Sequence, residues 1–144
     1  MEDFVSSALR HVRDAEHLLE PGAHTSPDQA WHLAGFAHEC ARKTCLTTSW
    51  VAKVLGHDFD SAGETILDIA AALDPKVSRY PFRNWRTRYP RISEWSPNHR
   101  YERTGSRSAS PATRELVTQA RTAVNSMIVA LYLDGRVDHG SLQT

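Results

Sequence analysis

The stretch RISEWSPNHRYERTG, residues 91–105, sets three arginines, a histidine, a tyrosine and a tryptophan within fifteen positions. Histidine changes charge near neutral pH and can carry a proton to or from a reacting oxygen, while arginine can hold the charge of a phosphate in transfer. His99 with Arg100 or Arg91 is therefore a candidate base and phosphate clamp, which Glu39 could support from another element. The competing reading is structural: Trp95 and Tyr101 plug the end of a bundle, His99 faces water, and Arg100 pairs with an acid such as Glu39.

Just upstream, KVSRYPFRNWRTRYPRIS, residues 76–93, holds six bases and no acid, interleaved with Tyr80, Phe82, Trp85 and Tyr89. Single-stranded RNA asks for this mixture, since guanidiniums neutralise phosphates and aromatic faces stack on bases. The candidate contacts are Arg79, Arg83, Arg86, Arg88, Arg91 and Trp85. Alternatively, the aromatics anchor a loop to the core while the arginines answer the acidic first half of the chain.

Other constellations offer less. Glu39 and Lys43 lie four apart with the acid first, the spacing of a helix-stabilising ion pair. Arg42 either joins a site or lines the surface. Arg10 and His17 share one helix face, where a solvated polar stripe with Arg13 and Asp14 accounts for them. His38, Cys40, Cys45 and His57 lack paired zinc-ligand spacing, and no glycine-rich phosphate loop occurs, so neither metal nor cofactor is expected.

These residues need elements to position them. Phe4, Val5, Ala8, Leu9, Val12, Ala15 and Leu19 recur at steps of three and four, which predicts a helix within residues 2–20. Ser26-Pro27-Asp28-Gln29 reads as a capping box opening a second helix that runs to Gly56, about 40 Å at 1.5 Å per residue. Ser61 and Glu64 open a shorter helix closed by Asp74-Pro75. Residues 76–110 lose periodicity, and Ser110-Pro111 starts a last helix ending at Asp134-Gly135. The expected fold is all-α: one domain over residues 1–144, its core about 2–134 and its tail 135–144. It is an up-and-down four-helix bundle with a long loop or short-helix insertion before the last helix.

The second helix, AWHLAGFAHECARKTCL, resembles the alanine-rich run of the HEPN family, helical domains of prokaryotic toxin–antitoxin and defence systems. GHDF after it looks like the family's THDL turn, and EWSPNHRYE is similar to a tryptophan-serine-proline and arginine-tyrosine segment before the last helix. The three blocks keep their order and span most of residues 8–133. The resemblance implies a HEPN-type bundle, a homodimer, and, in active members, a metal-independent ribonuclease with arginine and histidine four to six residues apart in the last helix. Here that helix carries Arg114 and Arg121 but no histidine. Some members show R-x4-H-x-Y, whose tyrosine is adenylylated by a nucleotidyltransferase antitoxin. His99-Arg100-Tyr101 reproduces the second half, but Glu94 stands where the arginine belongs and Arg91 lies too far upstream.

The resemblance therefore implies one of two activities. The favoured one is a noncatalytic module binding RNA, a nucleotide or a protein partner. The other is a divergent endoribonuclease using His99, Arg100 or Arg91, and Glu39, with Tyr101 as its modification site. A purely structural subunit is the third possibility.

The chain's formal charge of zero hides an asymmetry: twelve acids and five bases before residue 75, twelve bases and five acids from there on. Fourteen of the seventeen bases are arginine. The opening MEDFVSSALRHV lacks the charged start and apolar run of a signal peptide, no stretch is apolar enough to span a bilayer, and two cysteines make no disulfide framework. A cytoplasmic protein without a membrane partner is expected.

Overall fold

A computed structural model describes residues 3–46, 68–80 and 84–140. The regular elements among the described residues are all helices, with no strand, as expected for an all-α chain. Three long helices carry the core: α1 (Phe4–His17), α2 (Pro27–Thr44) and α3 (Pro111–Leu133), each packed against the other two. Residues 68–73 are also helical.

In α1, the Asp3 carboxylate accepts the Ser6 backbone N–H at 3.0 Å and so caps the start. The stripe of Ala8, Leu9, Val12 and Ala15 is buried, as its spacing predicts. α2 meets that stripe with Ala30, Ala34, Ala37 and Ala41, all essentially without solvent contact. From α3 come Leu116, Ala120, Ala123, Val124 and Met127. Small side chains on facing helices let the backbones approach, so dispersion contacts are dense.

The two serine-proline starts behave differently. Ser110 caps α3 through its hydroxyl, which accepts the Thr113 N–H at 3.3 Å. Ser26 makes no side-chain cap, so the capping box expected there does not form. α2 also stops at Thr44 instead of Gly56, giving about 27 Å for its eighteen residues. The sequence after Lys43, TCLTTSWV, is rich in threonine and serine, whose side chains compete for backbone partners. Thr44 Oγ1 donates to the Ala41 carbonyl at 2.6 Å. The far end of α3 matches expectation: Gly135 takes φ +68°, its N–H bonds Tyr132 O, and Arg136 N–H bonds Leu131 O, a Schellman closure. The Ser61–Glu64 cap, the GHDF turn, His57 and Arg83 lie outside the described residues.

The segment before α3 is an irregular strap with single helical turns at Pro75–Arg79, Trp85–Arg88, Ile92–Glu94 and Pro97–Tyr101. From residue 84 to 107 it runs along α2 from the C-terminal half toward the N-terminus. Trp85 lies against Arg42 and His38, Tyr89 against His38, Trp95 against Gly35 and Phe36, and His99 and Arg107 against Trp31. Asp28 receives the backbone N–H groups of Gly105 and Arg107 at 2.7 and 2.9 Å. The α2 residues involved, 28, 31, 35, 38 and 42, alternate steps of three and four and so form one helical stripe beside the alanine face.

Candidate functional site

The Pro97–Tyr101 turn puts His99 over the first turns of α2. Ser96 opens the turn with an extended backbone and accepts the Asn98 N–H on its hydroxyl at 3.3 Å. His99 closes the box, because its Nδ1 accepts the Ser96 backbone N–H at 3.2 Å. The same Nδ1 accepts the Trp31 indole N–H, also at 3.2 Å. Its Nε2 lies 3.8 Å from Glu102 Oε1. Glu102 in turn is held by the Arg107 guanidinium at 3.0 Å, and that guanidinium lies 4.0 Å above the Trp31 ring. Trp31, His99, Glu102 and Arg107 thus close a four-membered ring of contacts that fastens the strap to α2.

This clasp fixes the imidazole chemistry. Indole and amide N–H groups only donate, so Nδ1 must keep its lone pair and the neutral ring carries its proton on Nε2. Burial lowers the His99 pKa below its usual value; the Arg107 charge adds to this and Glu102 opposes it. Protonating Nδ1 would set three N–H groups against one another. In this geometry His99 presents a donor, and its one acceptor is turned inward and occupied.

A cleft of about 120 Å³ opens beside the clasp, lined by His32, His99, Arg100, Glu102, Thr104 and Arg107 together with the start of α2. Its acids are engaged from within: Asp28 by two backbone N–H groups and Glu102 by Arg107. Burial and the charge of Arg100 lower the His32 pKa. Among the described residues no cluster of histidine, cysteine and carboxylate could hold a metal ion. Burial pushes the thiols of Cys40 and Cys45 up to about 11 and about 12, so neither is a ready nucleophile.

The remaining candidates are dispersed. Glu39 is buried on α2 with Lys43 Nζ at 2.8 Å, eight residues or roughly 12 Å along the helix from Trp31 and the clasp. The structure therefore does not bring Glu39 to His99, nor does it pair Glu39 with Arg100. Arg100 lies over the Tyr101 ring at 4.7 Å, and Tyr101 is 75% exposed rather than a plug. His99 is partly buried, its side chain 20% exposed, and Trp95 alone of the expected plugs packs inward. Arg91 is held by Glu115 and Glu94, both at 2.9 Å. Arg79 reaches Asp134 at 3.5 Å. Arg86 and Arg88 are exposed and lie over Trp85 and Tyr89.

Trp85 departs from its expected place in an RNA surface. It is buried, with Arg42 at 4.2 Å and Arg86 at 4.8 Å from the ring centroid, so guanidiniums occupy the position a base would take. Tyr80 and Tyr89 are buried as well. Among the described residues of this segment, the aromatics anchor it while Arg79, Arg86 and Arg88 stay at the surface. Arg42, left open between site and surface, is a buried anchor for Trp85. Arg10 and His17 are exposed on α1, and His17 meets Glu20 at 3.2 Å.

Sequence reading missed Trp31, His32, Asp28 and Arg107. A signal existed for the first and third: both belong to the second stripe of α2, which repeats every three to four residues like the alanine face but mixes charged, aromatic and glycine positions. Among the described residues no helix is long and apolar enough to cross a membrane. Searches of protein-family profiles, curated proteins and solved structures return no match for this chain.

Proposed function

We propose that this protein is a HEPN-like helical module that binds RNA through surface arginines without cutting it, in a prokaryotic defence or toxin–antitoxin setting. One observation carries the choice between binding and cleavage. A general base needs an open lone pair within reach of the substrate hydroxyl. The His99 lone pair is committed to Trp31 and Ser96. The absence of histidine from the last helix points the same way. Exposed Arg79, Arg86, Arg88 and Arg100 supply phosphate contacts, with Arg83 from outside the described residues. Exposed Val129, Tyr132 and Leu133 on α3 support a homodimer. The defence setting rests on the resemblance of three sequence blocks to HEPN proteins.

The test is incubation of wild type and His99→Ala with a mixed RNA pool in EDTA, alongside affinity measured at several salt concentrations. Neither protein should cleave, and affinity should fall steeply as salt rises. Cleavage by wild type that His99→Ala loses would replace this reading with a metal-independent ribonuclease. Salt-independent affinity would remove the arginine surface.

A second reading is favoured by one feature, the exposure of Tyr101. Its hydroxyl stands open in the same turn as His99, as a modification site must. In that reading the protein is a divergent endoribonuclease toxin silenced by a nucleotidyltransferase antitoxin. Nucleotide-sized mass added to Tyr101 by a cognate nucleotidyltransferase, together with loss of RNA cleavage, would establish it.

A further inference from the structure

The mixture of arginine and aromatic residues in 76–103 suggests base stacking, but the structure buries Tyr80, Trp85 and Tyr89, the described aromatics of the basic run. Tyr80, Trp85 and Tyr89 are each 5% exposed or less, and Trp95 packs on Gly35 and Phe36. Tyr101, outside the strongly basic run, is the described aromatic of the strap that stands in solvent. Its neighbours are apt. Arg100 lies over the ring at 4.7 Å, and the exposed Arg103 follows two residues later. Neither Arg100 nor Arg103 has a carboxylate partner among the described residues, whereas Arg79, Arg91, Arg107 and Arg121 all do.

We propose that Tyr101, flanked by Arg100 and Arg103, is the subsite at which the protein stacks an unpaired base of single-stranded RNA. The inference rests on the RNA-binding reading above and adds to it the strand type and the stacking residue. The Pro97–Tyr101 turn presents the ring on a fixed support. Proline opens the turn, Ser96 and His99 cap it, and the clasp to Trp31 holds it on α2. Little ordering is then left for binding to impose. One ring face carries the Arg100 guanidinium, which polarises the ring and can also reach the adjoining phosphate; the opposite face is the platform for a base. A duplex has no free base face to offer, so the subsite selects single strands.

The test is fluorescence anisotropy with the full chain and a labelled adenosine oligoribonucleotide, beside an RNA duplex of equal length. Circular dichroism of each variant reports its fold. Tyr101→Ala should weaken single-strand binding roughly five- to 150-fold, the range for loss of one base–aromatic stack, and leave duplex binding within about twofold. Tyr101→Phe keeps the ring and should bind the single strand like wild type. Unchanged single-strand affinity in folded Tyr101→Ala, beside normal wild-type binding, would overturn the subsite while RNA binding stood. An equal loss on both RNAs would overturn stacking as its basis. Wild type that binds neither RNA at low salt would end the RNA-binding reading and this inference with it.

Discussion

The two buried faces of α2 solve packing in opposite ways. One presents Ala30, Ala34, Ala37 and Ala41 to α1 and α3, four side chains that carry no hydrogen-bonding group. The other presents Asp28, Trp31, Gly35, His38 and Arg42 to the strap, and its burial must be compensated residue by residue. Asp28 receives two backbone N–H groups, Trp31 bonds His99, and Arg42 stacks on Trp85. Among the described residues His38 has no hydrogen-bond partner on either ring nitrogen, and it lies between Trp85 and Tyr89. An orphaned buried polar group costs free energy that an alanine does not. The strap should therefore be the less stable unit, with local opening beginning there.

The sharpest contrast comes from the alanine side. Leu116→Ala, in the centre of the core, should cost about 2–5 kcal/mol and lower the melting temperature of the whole bundle, strap included. Calorimetry checks the size, and amide exchange should show α1, α2, α3 and the strap losing protection together. Gly35→Ala comes next. A Cβ there would run into the Trp95 indole, so the ring must leave its seat. Overpacking of this kind costs ~1–3 kcal/mol, partly offset by the ~1 kcal/mol that alanine gains over glycine in a helix. Exchange should rise in residues 84–107 and hold in α1 and α3; a uniform rise would break the comparison.

Trp31→Phe keeps a ring for Arg107 but removes the N–H that His99 accepts, and should cost about 1 kcal/mol by chemical denaturation. The smallest effect is a slope with pH. Burial depresses His38 strongly, with Arg42 adding to it, and depresses His99 as well, so both rings are neutral when folded and take protons readily when unfolded. Their contribution is complete above the unfolded value of 6.5 and is lost as pH falls through the folded pKa values. Melting temperature should thus decline below about pH 6.5, and His38→Phe should flatten the decline. A profile unchanged by that substitution would show that His38 is not the strained member.

Legibility in the sequence follows the same division. The stripe of α1, the Ser110 cap and the Gly135 stop are local or periodic signals, and the structure contains all three. The end of α2 was hidden because apolar spacing continues past Thr44 although the intervening residues favour other backbone partners. The clasp was hidden for a different reason. Its bond from Trp31 to His99 and the neighbouring bond from Arg107 to Asp28 span 68 and 79 residues, and nothing local in either segment names the other. Histidine and arginine in SPNHRYE read as chemistry because their types suit catalysis, yet only the direction of the Trp31 N–H reveals which nitrogen is left open. Tyr101 shows the converse: its sequence context fits a packing residue, and only exposure distinguishes it from Tyr89.

Arg136, just past the end of α3, bonds the Thr44 carbonyl at 2.9 Å and the Tyr80 hydroxyl at 2.7 Å. One side chain thereby gathers the end of α2 and the start of the strap, across 92 and 56 residues of chain. The residue that pins α2 and the strap together is local to neither of them. Both fastenings form only after distant parts of the chain have met, so neither helps α2 or the strap to form alone.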